Sequence, residues 1–233
     1  MKRQIFTLSL LLFFGIGLYA QPKAVGEPRV LAQMDEPLMR PVWSPDGAKL
    51  ILNYGQWEIS RDGSNLRQIT TEEANQLRAA NSVNALLQLI IDDPMGAASK
   101  VDALKSLSGS ILFNPVLSPQ GDKIVFQSSS KNGLFVCDAN IQADASSLLH
   151  FSQGDFPTWT PDGKYIAAHL EGNDGHVVTK GELITIDVAT GTKSILFSSD
   201  KYIAFSPTIS PDGKKLAFED LASGIIYIMD IQY

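Results

Sequence analysis

The chain is poor in the residues that most enzymes and metal proteins depend on. It has one cysteine, Cys137, so a folded monomer has no disulfide and must be stabilised by burial. Its three histidines, His150, His169 and His176, share no close spacing and no His-Glu-x-x-His pattern. No Gly-x-Ser-x-Gly turn offers a serine nucleophile. Positive charge is also scarce, with 19 Lys and Arg against 25 Asp and Glu and a net charge of −6. That balance disfavours nucleic acid, whose phosphates need a basic stripe, and it disfavours anionic lipid. One apolar run stands out, Ile5 to Leu18, and its 14 residues fall short of the roughly 18 that argue a membrane span.

That run follows Lys2 and Arg3 and ends at Leu18-Tyr19-Ala20, with a small residue at the cut. A basic start, a short apolar stretch and a small residue read as a secretory signal peptide over residues 1–20, cleaved after Ala20. No cysteine follows the stretch, which speaks against a lipoprotein anchor. The expected mature chain has 213 residues and a formal charge of −8, and no membrane insertion is expected after cleavage. Residues 21–233 then form a single domain, of a size that suits one all-β fold.

What the chain has instead is a repeat. Pro41-Val-Trp-Ser-Pro-Asp-Gly47, Pro115-Val-Leu-Ser-Pro-Gln-Gly121, Pro157-Thr-Trp-Thr-Pro-Asp-Gly163 and Pro207-Thr-Ile-Ser-Pro-Asp-Gly213 are four copies of one phrase. In each, the second proline fixes φ near −65°, Asp bonds its own backbone, and Gly supplies the positive φ of a reversal. A β-type run follows every copy: Lys49-Leu-Ile-Leu, Lys123-Ile-Val-Phe, Tyr165-Ile-Ala-Ala and Lys215-Leu-Ala-Phe. Third and fourth strands come next, such as Leu183–Asp187 and Lys193–Phe197 in the third copy. Each unit is therefore a four-stranded antiparallel meander, the blade of a β-propeller.

The turn prolines fall at 45, 119, 161 and 211, so the steps are 74, 42 and 50 residues. A blade takes about 40–45. The last copy has room for only two of its three remaining strands, and the N-terminal run Arg29–Gln33 is in place to supply the missing outer one. Such closure removes an exposed sheet edge. The fold expected is a four-bladed propeller whose N-terminal strand completes the last blade.

The long first step carries an insertion at about 71–109 that reads as an α-helical hairpin. Thr70 and Glu73 form a capping box, and Ala79, Val83, Leu86, Leu87 and Ile90 make an amphipathic stripe. Asp93-Pro94 starts a second helix that ends near Gly109, with Ala97, Val101 and Leu104 on one face. A fifth blade in this stretch is disfavoured by its missing Pro-Asp-Gly turn and low β content.

The repeated Pro-x-(Trp/Leu/Ile)-(Ser/Thr)-Pro-(Asp/Gln)-Gly phrase, with Ile226-Tyr-Ile-Met-Asp230 behind it, resembles the TolB-type β-propeller repeat. The resemblance covers about 26–233 apart from the insertion, and it is specific for the blade rather than for an activity. It implies a periplasmic or secreted scaffold that binds peptides and envelope proteins at a propeller mouth. The TolB-type protein itself has an α/β domain before six blades, which this chain lacks, so its own partners do not transfer. Similar repeats also form the propellers of prolyl-oligopeptidase-like peptidases, whose separate hydrolase domain has no counterpart here.

The residue types available favour binding over turnover. Asp46, Asp162 and Asp212 sit beside turn glycines and read as turn structure, with Gln120 in the same place in the second copy. Cys137 aligns with Ile59, Ile186 and Met229 and reads as a core filler. The acidic residues of Glu171–His176 lack EF-hand spacing, so neither a metal nor another cofactor is expected. The candidate partner-binding residues are Trp43 and Trp159, aromatics in matching inner-strand places, and Leu86 and Leu104 of the insertion. The expected function is a non-catalytic interaction scaffold for a protein partner in the cell envelope. The alternatives are a small-ligand, glycan or peptide binder and, more remotely, a lyase or hydrolase at the channel mouth.

Overall fold

A computed structural model describes residues 21–78 and 84–233. The expected signal peptide, and Ala79 and Val83 of the helical stripe, lie outside the described residues. Four antiparallel sheets of four strands form a four-bladed β-propeller. Blade 1 contains β2 (Val42–Trp43), β3 (Lys49–Leu52), β4 (Trp57–Ser60) and β5 (Arg67–Gln68). Blade 2 contains β6 (Leu112–Leu117), β7 (Lys123–Ser128), β8 (Lys131–Asp138) and β9 (Leu149–Phe151). Blade 3 contains β10 (Asp155–Trp159), β11 (Tyr165–Asn173), β12 (Val178–Asp187) and β13 (Lys193–Phe197). Blade 4 contains β14 (Ala204–Ile209), β15 (Lys215–Asp220) and β16 (Ile225–Gln232), and its outer strand is the N-terminal β1 (Lys23–Ala32). β1 runs antiparallel to β16 with Lys23 opposite Gln232 and Val30 opposite Tyr227, the closure expected from the repeat spacing.

The repeated phrase folds as its residues require. Gly47, Gly121, Gly163 and Gly213 all have φ between 68° and 74°, which a side chain would strain. In three copies the preceding hydroxyl binds the turn carboxylate: Ser44 to Asp46 at 2.6 Å, Thr160 to Asp162 at 2.6 Å, and Ser210 to Asp212 at 2.5 Å. The same hydroxyls accept the N–H of the first residue of the next strand, at 3.0, 3.0 and 2.9 Å. In the second copy, Gln120 occupies the aspartate position and Asp122 takes over the bond to Ser118 at 2.7 Å.

Strand alternation sends successive side chains to opposite faces, and the faces of neighbouring blades meet as cores. Trp43, Leu50, Leu52 and Ile59 pack on Leu31, Ala217, Ile226 and Ile228 between blades 1 and 4. Val125, Leu134 and Val136 meet Trp159, Ile166 and Ile184 between blades 2 and 3. Ala167 and Leu183 meet Leu216, Phe218 and Met229 between blades 3 and 4. At that junction Gly181 has to be glycine, since a Cβ there would stand 2.4 Å from the Ala204 carbonyl oxygen.

The fourth junction is built differently. The face of blade 2 that looks toward blade 1, with Ile124, Phe126, Phe135 and Cys137, is covered by Leu86, Ile90, Val101, Leu104 and Leu107 of the insertion. On blade 1, Ile51 and Ile69 are covered by Ala74 and Leu77. The insertion is thus a wedge between two blades, not an appendage. It is helical as the periodicity predicts, but it is cut into short pieces rather than a hairpin of two helices. These are α1 (Thr71–Arg78), α2 (Ala85–Asp92), α3 (Ala97–Lys100) and a 3-10 stretch, Asp102–Leu107.

The breaks have local causes. The capping box forms at α1, where Glu73 Oε2 accepts the Thr70 N–H at 2.8 Å and Thr70 Oγ1 accepts the Glu73 N–H at 3.2 Å. Asn84 is extended and starts α2 by accepting the N–H groups of Leu86 and Leu87, both at 3.0 Å. The continuous stripe expected through residue 90 is therefore interrupted there. Val101 is also extended and splits the second expected helix, which still ends at Gly109 with φ +83°.

Candidate functional site

The four inner strands β2, β6, β10 and β14 run alike around the channel, each leading into its Pro-Asp-Gly turn or, after β6, a Pro-Gln-Gly turn. Prolines on β6, β10 and β14, at 115, 157 and 207, and one just before β2, at 41, have no N–H to give the ladder. The sheet register shifts at that height in blades 2, 3 and 4. The residue before each proline lies in the left-handed region: Arg40 at φ 49°, Asn114 at 50°, Phe156 at 49° and Ser206 at 45°. A residue preceding proline is ordinarily extended, so this repeated departure is a property of the fold. The four Xaa-Pro pairs and the residues after them line a cavity of about 250 Å³ on the channel axis.

Behind them stands a second ring of polar residues at matching places in or just after the second strands: Asn53, Gln127, His169 and Glu219. Two members reach forward and hold the next blade's bulge. Glu219 Oε2 accepts the Arg40 N–H at 2.5 Å, and Gln127 Oε1 accepts the Phe156 N–H at 3.2 Å. Asn53 stays on its own blade, accepting the Met39 N–H at 2.7 Å. His169 is buried against Phe205, with ring centroids 3.6 Å apart, and Phe156, at 5.3 Å, and its Nδ1 has no partner among the described residues. Burial first, and the charge of Arg40 second, push the His169 imidazole down to about 4, so it is neutral at physiological pH.

Arg40 is the cation of this end. Its guanidinium lies over the Phe156 ring at 4.0 Å and the Tyr54 ring at 4.9 Å, and Nη1 donates to Asn114 Oδ1 at 3.2 Å. Asn114 Nδ2 in turn donates to Gln127 Oε1 at 2.8 Å, and Gln127 Nε2 to Asp155 Oδ1 at 2.6 Å. Burial, then the nearby Glu171, raise the Asp155 carboxyl above its ordinary value. Burial likewise raises Glu219, against the Arg40 N–H bond and the Arg40 charge. Tyr54 sits in a run of three left-handed residues, Asn53 at 50°, Tyr54 at 60° and Gly55 at 100°, which holds its ring out beside Arg40 with 63 % of the residue exposed.

The candidates expected from the sequence lie elsewhere. Trp43 and Trp159 are buried between blades and donate their indole N–H groups to inner-strand carbonyls of the neighbouring blade, Thr208 at 3.3 Å and Val116 at 2.9 Å. Leu86 and Leu104 are fully buried in the wedge. Cys137 is buried, and burial pushes its thiol up to about 12, so it is no nucleophile at neutral pH. His150 stacks on Phe135, with centroids 4.4 Å apart, and pairs with the Asn132 carbonyl. Among the described residues no group of three or more His, Cys, Asp or Glu side chains is placed to hold a metal ion. The residues missed in the sequence were Arg40, Tyr54 and Phe156. A signal existed for two of them: the place just before each inner-strand proline holds Arg, Asn, Phe and Ser in turn, immediately ahead of a repeated phrase.

No family model and no curated protein matches the chain. Among solved structures it is similar to a chain assigned as TolB from Agrobacterium tumefaciens, with 18 % identity over 87 % of this chain and 61 % of that one and a TM-score of 0.39. It is also similar to TolB from Acinetobacter baumannii, with 15 % identity over 87 % and 45 % and a TM-score of 0.37. An oligogalacturonate lyase from Vibrio parahaemolyticus shows 13 % identity over 87 % and 51 %, with a TM-score of 0.37. The chain spans less than two thirds of each of these proteins. The propeller assignment rests on the four sheets themselves.

Proposed function

We propose that this chain is a non-catalytic β-propeller that serves as a protein-interaction scaffold in the cell envelope, receiving a segment of its partner at the Arg40 end of the channel. The observation that carries the reading is the ring of four left-handed Xaa-Pro positions. There the repeat holds the backbone constant while the side chains differ, as Arg40, Asn114, Phe156 and Ser206. A frame that fixes four unlike side chains around one cavity suits recognition, and long, rigid repeat scaffolds commonly bind in this way. Placement in the envelope rests on the basic and apolar residues 1–20, read as an export signal.

Site-specific photocrosslinking in living cells tests the reading. A photoreactive residue replaces Tyr54 at the Arg40 end or, in a second strain, Gln120 on a turn at the far end of an inner strand. The scaffold reading expects a discrete protein adduct from position 54 and little from position 120. A correctly folded chain that gives no protein adduct from position 54, or equal adducts from both, overturns it.

A further inference from the structure

We infer that the Arg40 end of the channel is a carboxylate subsite: the partner segment presents an acidic side chain or a chain terminus to the Arg40 guanidinium. The inference rests on the scaffold reading above and names the chemistry of what is bound.

Arg40 is fixed at both ends. Its main-chain N–H is held by Glu219 at 2.5 Å, and its Nη1 by Asn114, whose own amide is oriented by Gln127 at 2.8 Å. Phe156 and Tyr54 cover the guanidinium, so its edges are what remain for a ligand. Among the described residues that guanidinium has one hydrogen bond and no carboxylate partner, although it offers five donors. It lines the channel cavity together with prolines and with Val42 and Val116. On the same wall, Ser206 is 6 % exposed, and its Oγ lies near the Glu219 carboxylate without a well-formed hydrogen bond. A buried hydroxyl without such a bond is costly, and a ligand oxygen at this wall would satisfy it.

The ligand class follows from complementarity and from local charge. A planar guanidinium matches a planar carboxylate, and an apolar wall around it strengthens the pair. Glu219 lies close enough to interact with the Arg40 charge, and Gln127, which orients Asn114, is itself bonded to Asp155 at 2.6 Å. A carboxylate already beside the guanidinium weighs against a doubly charged phosphate and favours a singly charged acid. The same surroundings make the preorganised contacts of Arg40 and Ser206, rather than long-range attraction, the source of affinity.

The test uses the purified protein and short peptides of defined ends. Acetyl-Ala-Pro-Ala as free acid offers a terminal carboxylate, and acetyl-Ala-Asp-Ala-amide offers a side-chain one. Acetyl-Ala-Asn-Ala-amide is the neutral control, and inorganic phosphate is the dianion control. Each is titrated while the Arg40 Nε–H resonance is followed by NMR, the resonance being identified by its loss in R40K. The expected result is a saturable shift with one or both acids and none with the neutral peptide or phosphate. Charge-assisted bonds of this kind put the loss in R40Q at about tenfold or more. S206A, which removes this hydroxyl and leaves the four-bladed frame in place, should weaken acid binding severalfold. Neutral and acidic peptides moving the resonance alike, or R40Q binding the acids as well as the unaltered chain does, overturns the inference. The position-54 adduct separates the two readings. An adduct that persists undiminished in R40Q sinks the carboxylate subsite and leaves the scaffold standing, whereas acid binding without any adduct sinks the scaffold alone.

Discussion

His169 occupies the ring position where Glu219 and Gln127 hold the bulge of the following blade, but its Nδ1 holds nothing. Its imidazole is kept neutral by burial and by Arg40, with a folded value of about 4 against 6.5 for a free histidine. The unfolded chain therefore binds a proton between those values that the folded chain refuses. Stability from this group is complete above pH 6.5 and is lost as pH falls toward 4, amounting to about 3 kcal/mol across that window. Asp155 and Glu219, raised by burial, contribute with the opposite sign as pH falls, so the comparison must be made between variants. His169→Gln should flatten the fall in the urea midpoint between pH 6.5 and 4 relative to the unaltered chain. An identical pH profile in the variant would contradict this account of the ring. At this scale the sequence was legible where chemistry is local. The Ser-Pro-Asp-Gly turns and the capping box follow from neighbours within a few positions, and the buried Cys137 follows from its apolar counterparts Ile59, Ile186 and Met229 in the other repeats. The left-handed residues before the inner-strand prolines were not legible. They arise from sheet register and from bonds such as Glu219 to Arg40, which lie 179 positions apart.

The insertion is the element whose role changed most between sequence and structure. Its apolar stripe was readable, but what the stripe covers was not, because periodicity shows a face and not its neighbour. Leu104 is fully buried against blade 2, and truncating such a side chain costs about 2–5 kcal/mol. Leu104→Ala should lower the denaturant midpoint accordingly, with an unchanged β-sheet circular dichroism spectrum at low denaturant. Removing residues 72–108 is a harsher change, since it bares Ile124, Phe126 and Phe135 on one face of a blade. That deletion should give an aggregating chain rather than a functional ring, as judged by size-exclusion chromatography. A monomeric, cooperatively unfolding deletion variant would show that the wedge is dispensable. The positions of the helix breaks escaped the sequence for a related reason. Asn84 caps α2 while its amide donates to the Ala139 carbonyl at 2.8 Å, a partner 55 residues away.

For the whole molecule, the closure between the first and last strands was the most legible feature, because repeat lengths left one outer strand missing at the end and one spare at the start. The register places Val25 opposite Asp230. A V25C/D230C pair should form a disulfide that closes a loop of nearly the entire chain. The loop-entropy account puts the gain at up to about 5 kcal/mol, less any strain. The oxidised variant should unfold at higher urea than its reduced form. Equal midpoints in the two forms would mean that β1 detaches before the ring opens and adds little to global stability. The Arg40 end of the channel was half legible: the repeat announced a ring, yet its distinguishing side chains lie one residue outside the repeated phrase.

A ring of four like blades would look the same after each quarter turn. The wedge between blades 1 and 2 removes that ambiguity, because one of the four blade junctions is filled by helix and the other three by strand. A chain segment received along the axis, as proposed, would therefore meet a compass rather than a wheel: Arg40 marks one bearing, and the segment would have one rotational setting in which its own groups face their counterparts.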